Sequence, residues 1–206
     1  MITSLPGFAD AVHDAQRTFR TVLDALARPG RVEVMRSTSP SGSLSGAIAA
    51  DATSPSGLMP ACAATCLTLF DLETQVWLQP GWDAPVADWL VFHTGCRLVS
   101  HPQQATFALI WDAAAMPDLT TFHQGTAEYP ELSTTLLLQL ESLHGGTPVV
   151  LTGPGICGSQ GIAPPLSPQF WQQWQTNHAS YPLGVDVVLF SQNAVIGLPR
   201  TTSATC

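Results

Sequence analysis

The chain of 206 residues contains no lysine. Its seven basic residues are all arginines: Arg17, Arg20, Arg28, Arg31, Arg36, Arg97 and Arg200. A Schiff base to pyridoxal phosphate needs a lysine amine. A Walker-type phosphate loop needs a lysine to reach the terminal phosphates, and a protein kinase needs one on its third strand. None of these can be built here. Five of the arginines precede residue 37, and Arg200 is the sole cation after Arg97.

Charge of either sign is scarce. Asp, Glu, Lys and Arg make up 11% of the chain, against roughly 25% in ordinary globular proteins. The formal net charge is −8 and the pI about 4.9. Such a chain lacks the clustered cationic surface that nucleic-acid binding requires, so no nucleic-acid partner is expected. Between Glu141 and Asp186 no charged residue occurs. Two readings fit that span: a central strand flanked by neutral polar loops, or a subunit interface depleted of charge. No basic flank followed by an apolar run opens the chain, and Gly57–Phe70 is too short to span a bilayer and contains Pro60. No membrane association is expected. The five cysteines (62, 66, 96, 157 and 206) form no CxxC pair, so free thiols in a cytoplasmic protein are the expectation.

At this length a single domain over 1–206 is expected. Phe8, Val12, Phe19, Val22, Leu23 and Leu26 recur at helical spacing, and Pro29-Gly30 ends that helix. Arg31–Met35 reads as a short strand, and the Ser/Gly-rich stretch 37–57 as a long flexible loop. A buried helix over Leu58–Phe70, a strand over Gln75–Leu78, an amphipathic helix over Pro85–His93 and a strand over Arg97–Val99 follow. Thr106–Trp111, Thr134–Gln139 and Pro148–Thr152 read as strands buried on both faces. Ser167-Pro168 opens a helix carrying Phe170, Trp171 and Trp174. Val185–Phe190 and Val195–Leu198 form a closing hairpin across Ser191-Gln192-Asn193. The alternation predicts one α/β layered domain with a mixed, mainly parallel sheet.

Gly153-Pro154-Gly155-Ile156-Cys157-Gly158 is a literal GxGxxG after an apolar strand. Its continuation, with Pro164-Pro165 and no acidic residue until Asp186, does not suit a dinucleotide helix. A glycine turn that lets the chain leave the sheet is the competing reading. Thr152, Gly153 and Gly155, together with His93, are candidate ligand or interface contacts. His93 and Cys96 lack a second pair at zinc spacing, so no metal site is predicted. Cys157 is the best candidate for a Cys/His nucleophile, against the plainer reading of a buried, inert thiol. Asp186 and Arg200 are the only charges in the last 65 residues. They either pair with each other or leave Arg200 to contact an anion or a partner.

Several blocks resemble the H subunit of carbon–phosphorus lyase. They are His13-Asp14-Ala15-Gln16 to Phe19-Arg20 and Arg28-Pro29-Gly30, Asp71 to Val76-Trp77-Leu78, Phe92-His93-Thr94, Pro102 to Ala105-Thr106-Phe107, Leu151-Thr152-Gly153-Pro154-Gly155-Ile156, and Tyr181-Pro182-Leu183-Gly184-Val185-Asp186 to Leu198-Pro199-Arg200-Thr201-Thr202. They run from residue 13 to 202, and their order and spacing carry the resemblance. Two segments depart from it, an enlarged 37–57 loop and an unusual Cys157–Gln169.

The resemblance implies an accessory, non-catalytic subunit of bacterial organophosphonate use. It implies a homodimer that assembles with G, I and J subunits into a complex coupling a phosphonate to the ribose of a nucleoside triphosphate. It implies a fold like the large domain of pyridoxal-phosphate-dependent transferases with the cofactor site lost. No cofactor is then expected on this chain, since iron–sulfur and S-adenosylmethionine chemistry would belong to the J subunit. The competing expectation is a stand-alone enzyme binding a small ligand or nucleotide at the Gly153–Gly158 turn.

Overall fold

The computed structural model describes residues 7–36, 55, 57–82 and 84–205. The 37–57 loop therefore falls almost wholly outside the described residues. Helix α1 spans Ala11–Ala27. The Asp10 carboxylate caps it by accepting the His13 N–H at 3.0 Å. Its Thr18, Val22 and Ala25 form the buried stripe. The Arg28 N–H still bonds to the Asp24 carbonyl, and Pro29-Gly30 then turns the chain at φ +78°. Strand β1 is only Glu33–Val34. Helix α2, Pro60–Leu69, starts with proline in its first turn, where the missing N–H costs nothing. Pro60 through Cys66 are all buried, so this helix is apolar on every side.

Strand β2 is Gln75–Leu78, helix α3 Ala84–Thr94, strand β3 Arg97–Leu98, β4 Phe107–Ile110 and β5 Thr135–Gln139. Then come β6 (Val149–Thr152), β7 (Gln160–Ile162), helix α4 (Pro168–Ala179), β8 (Asp186–Ser191), β9 (Ala194–Leu198) and β10 (Ser203–Thr205). Ser167 caps α4 by accepting the Phe170 N–H at 3.1 Å.

Seven strands form the main sheet in the order β1-β9-β8-β5-β4-β2-β3. Strands β3, β2, β4, β5 and β8 run parallel to their neighbours, while β9 is antiparallel to both β8 and β1. The fold is thus α/β with a mixed, mainly parallel sheet. Side chains alternate between its faces. Val76, Leu109, Leu137, Val188, Phe190 and Val195 meet α1, α2 and α3. Trp77, Ala108, Ile110, Leu136, Leu138, Val187, Leu189, Ile196 and Leu198 meet α4 and a smaller sheet. That smaller sheet is antiparallel, in the order β10-β6-β7. Trp89, Trp171 and Trp174 are fully buried, and each contributes on the order of 2–3 kcal/mol through lost apolar exposure. Gly197 on β9 lets α1 lie flat on the sheet, since a Cβ there would stand 2.5 Å from the Ala25 carbonyl oxygen.

The structure corrects one expectation and locates another. Pro148–Thr152 is not a strand buried on both faces. Strand β6 buries Val149 and Leu151 while Val150 and Thr152 are exposed, because it sits in the small sheet with solvent on one side. The charge-free span does contain a central strand, β6, but in the small sheet. It supplies β6, β7 and α4.

Candidate functional site

Asp186 opens β8 and Arg200 follows β9. Antiparallel pairing of Val187 with Leu198 brings the two together at one end of the hairpin. The Asp186 Oδ1 accepts the backbone N–H of Arg200 at 2.7 Å and its Nε–H at 3.1 Å. Oδ2 accepts from Nη2 at 2.5 Å. Nη1 donates to the carbonyls of Pro130 at 2.9 Å and Pro182 at 3.4 Å. Nη2 also donates to the Ser133 hydroxyl. A guanidinium has five N–H donors, and here every one is directed at a protein acceptor. The Arg200 side chain is 11% exposed. It is a clamp between three segments, with no donor left over for an anion. The imidazole Nδ1 of His178 lies 3.0 Å from the Arg200 carbonyl and fixes the turn from the α4 side.

Thr152 and Gly153 come close to this cluster. Thr152 pairs with Ser203 across β6 and β10, and a Cβ on Gly153 would stand 2.8 Å from the Thr201 carbonyl oxygen. Gly153 and Gly155 have φ of +134° and +82°, conformations that glycine adopts without steric cost. Gly155 packs against the Ala27 carbonyl at the end of α1. The turn connects two antiparallel strands, β6 and β7. A pyrophosphate site needs a strand, a glycine turn and then a helix N-terminus. This segment has no such helix, so its glycines serve packing and the dinucleotide reading has no geometric basis.

His93 lies apart from these residues. It sits in the last turn of α3, in the helical layer on the other face of the main sheet. Its ring packs 4.9 Å from that of Trp89 and 5.0 Å from that of Phe92, with Gly7 against it. The structure therefore joins Asp186, Arg200, Thr152 and Gly153 in one region, adds Gly155 through the same turn, and leaves His93 separate.

Open parallel sheets build ligand crevices beyond the C-terminal ends of their strands, where the strand order reverses. Here that point lies between β2 and β4, and sequence reasoning had singled out nothing there. Two buried glutamines occupy this edge. The Gln79 Oε1 accepts the N–H groups of Trp111 and Asp112 at 3.0 and 2.9 Å, and its Nε2 donates to the Asp112 carbonyl at 2.9 Å. Gln139, at the end of β5, accepts the Met59 N–H at 2.7 Å and donates to the Gly57 carbonyl at 2.9 Å. Both amides are consumed in tying loops to the sheet. The available signal was a glutamine closing an otherwise apolar run, as in Val76-Trp77-Leu78-Gln79 and Leu136-Leu137-Leu138-Gln139.

The thiols are not gathered for chemistry. Burial pushes the Cys66 thiol well above its usual range, aided by Cys62, and burial raises Cys96 as well. Cys157 is exposed in the glycine turn rather than buried. Among the described residues no group of three or more His, Cys, Asp or Glu could hold a metal ion. None of the described helices is long and apolar enough to cross a membrane.

Comparison with known proteins supplies the family. A family model described as bacterial phosphonate metabolism protein (PhnH) matches residues 6–205. The α-D-ribose 1-methylphosphonate 5-triphosphate synthase subunit PhnH of Rhizobium meliloti (strain 1021) is 40% identical over 197 residues, covering 95% of this chain and 92% of the relative. A putative C-P lyase subunit protein, HtxG, of Stutzerimonas stutzeri is 38% identical over 79 residues, covering 38% of this chain and 40% of its own. With nearly its full length matched, the chain belongs to the bacterial phosphonate metabolism protein (PhnH) family.

Proposed function

We propose that this chain is an accessory subunit of a bacterial complex that makes ribose 1-phosphonate 5-triphosphate from a nucleoside triphosphate and an alkylphosphonate. The observation that carries this reading is the 40% identity over 95% of the chain to a subunit bearing that synthase name. The subunit is a homodimer that assembles with the G, I and J subunits in the cytoplasm. Catalysis resides on the other subunits. Two features support this: the C-terminal edge of the sheet is occupied by self-satisfied Gln79 and Gln139, and Arg200 spends its donors on protein acceptors.

The chain itself takes no cofactor. Its fold is that of the large domain of pyridoxal-phosphate-dependent transferases, and a seven-stranded, mainly parallel sheet between two layers supports that kinship. Without lysine, the covalent anchor for that cofactor cannot form. Fold kinship would then say nothing about aminotransferase-like chemistry.

Growth complementation on a phosphonate as sole phosphorus source, combined with pull-down of the G, I and J subunits, tests the reading. The expected result is restored growth and recovery of all three partners. Full assembly of the other three subunits with this chain left free on size exclusion overturns it. A pyridoxal phosphate titration that produces a saturable absorbance change overturns the cofactor-free assignment.

A further inference from the structure

The Arg200–Asp186 clamp has an outer side. An open groove of about 320 Å³ lies over it, bordered by Pro130, Glu131, Tyr181, Pro182 and Pro199. We propose that this groove docks an extended segment of a partner subunit that carries an arginine or lysine flanked by apolar side chains. The inference rests on the subunit reading above and assigns a surface to it.

Position argues first. The groove lies at the N-terminal ends of β5 and β8, where Thr135 pairs with Asp186. Small-ligand crevices of parallel sheets form at the opposite end. The floor is preorganised, because Arg200 ties the turn at Pro130–Ser133, the Tyr181–Pro182 segment and its own turn into one unit. A rigid surface loses little entropy on binding.

The rim is apolar and uncovered. Tyr181, in the lining, is 61% exposed, and the chain neighbours of Pro130 and Glu131, Tyr129 and Leu132, are 49% and 60% exposed. Tyr181 beside three lining prolines makes an amphipathic groove suited to an extended peptide, and exposed tyrosine is a common interface anchor.

Charge selects the occupant. From residue 98 onward the chain has six acids (Asp112, Asp118, Glu128, Glu131, Glu141 and Asp186) and one cation, Arg200. That cation is 11% exposed and already paired. Glu131 is exposed and makes no ion pair among the described residues. The unneutralised charge at the groove is therefore negative, and a cationic segment complements it.

The test measures the affinity of the full chain for the assembled G, I and J subunits, at low and high salt. It uses Leu132→Asp/Tyr181→Asp and, separately, Glu131→Arg, with thermal melts to verify folding. The apolar double variant is expected to bind at least about tenfold more weakly. Glu131→Arg should lose about tenfold at low salt and converge on the wild type at high salt. Wild-type affinity in both folded variants removes the docking surface and leaves the subunit reading standing. Loss in the double variant alone removes the cationic occupant. Failure of the wild-type chain to bind at all removes the subunit reading and the groove with it.

Discussion

Asp186 holds Arg200 twice, accepting its backbone N–H at 2.7 Å and its guanidinium at 3.1 and 2.5 Å. One carboxylate thus fixes both the path of the turn after β9 and the direction of the side chain leaving it. Removing the arginine strands a half-buried carboxylate and leaves the Pro130 carbonyl with only the longer Ser133 N–H bond, at 3.4 Å. Arg200→Ala is expected to cost about 2–4 kcal/mol. Arg200→Lys should fall between the two, because an ammonium keeps the charge but not the planar fork. Urea unfolding of the three proteins checks the order. An Arg200→Ala protein as stable as the wild type but unable to support growth on phosphonate would instead make this arginine a ligand contact.

The two faces of the glycine turn separate packing from backbone conformation. Gly155 and Gly158 both have positive φ, +82° and +78°. A Cβ on Gly155 overlaps the Ala27 carbonyl, whereas nothing lies within 4 Å of one on Gly158. Gly158→Ala should cost only the left-handed penalty of about 1 kcal/mol. Gly155→Ala adds displacement of α1 and should cost at least about 1–3 kcal/mol more. Paired thermal melts distinguish the two, and equal losses would mean that the turn does not bear on α1.

Most of the main sheet was legible because its residues obey one rule at a time. Phe107–Ile110 is apolar, as are Leu136, Leu137 and Leu138 within Thr135–Gln139, and they sit between two layers. The Ser167 cap and the Gln192-Asn193 turn carry their own local chemistry. Two strands of the small sheet escaped notice. Strand β7 is Gln160-Gly161-Ile162 and β10 is Ser203-Ala204-Thr205. Three residues of mixed polarity have no detectable period, and only pairing with β6 makes them strands. The pairing of Asp186 with Arg200 could be weighed from charge scarcity alone. The roles of Gln79 and Gln139 could not, since a buried glutamine is justified only by loops that the fold brings to it.

Acid should weaken the start of α1. The His13 backbone N–H, and then its side chain, hold the Asp10 carboxyl below its ordinary value of 3.8. The charged form is therefore favoured in the folded state. Its stabilisation is present above the unfolded value and is lost as pH falls through the depressed folded one. Helical ellipticity of the wild type is expected to decline below about pH 4, and Asp10→Asn should flatten part of that decline. Asp71, lowered by the Thr74 hydroxyl and the Glu73 N–H, leaves a residual acid limb in the variant. An unchanged acid limb in Asp10→Asn would show that the cap does not govern this helix end.

Thiol reactivity reports on the two layers separately. Cys157 stands exposed in the β6–β7 turn, while Cys62 and Cys66 are buried on α2 and Cys96 is buried just after α3. Only the thiolate attacks an alkylating reagent. Cys66 is both inaccessible and held well above its usual range by burial, so it offers very little thiolate at neutral pH. Peptide mapping after timed alkylation should find Cys157 modified first among the four described cysteines. The three buried thiols should react only at the rate of opening, and destabilising Gly155→Ala should speed them while leaving Cys157 unchanged. Labelling of Cys66 as fast as Cys157 in the folded protein would mean that the helical layer opens independently of the sheet.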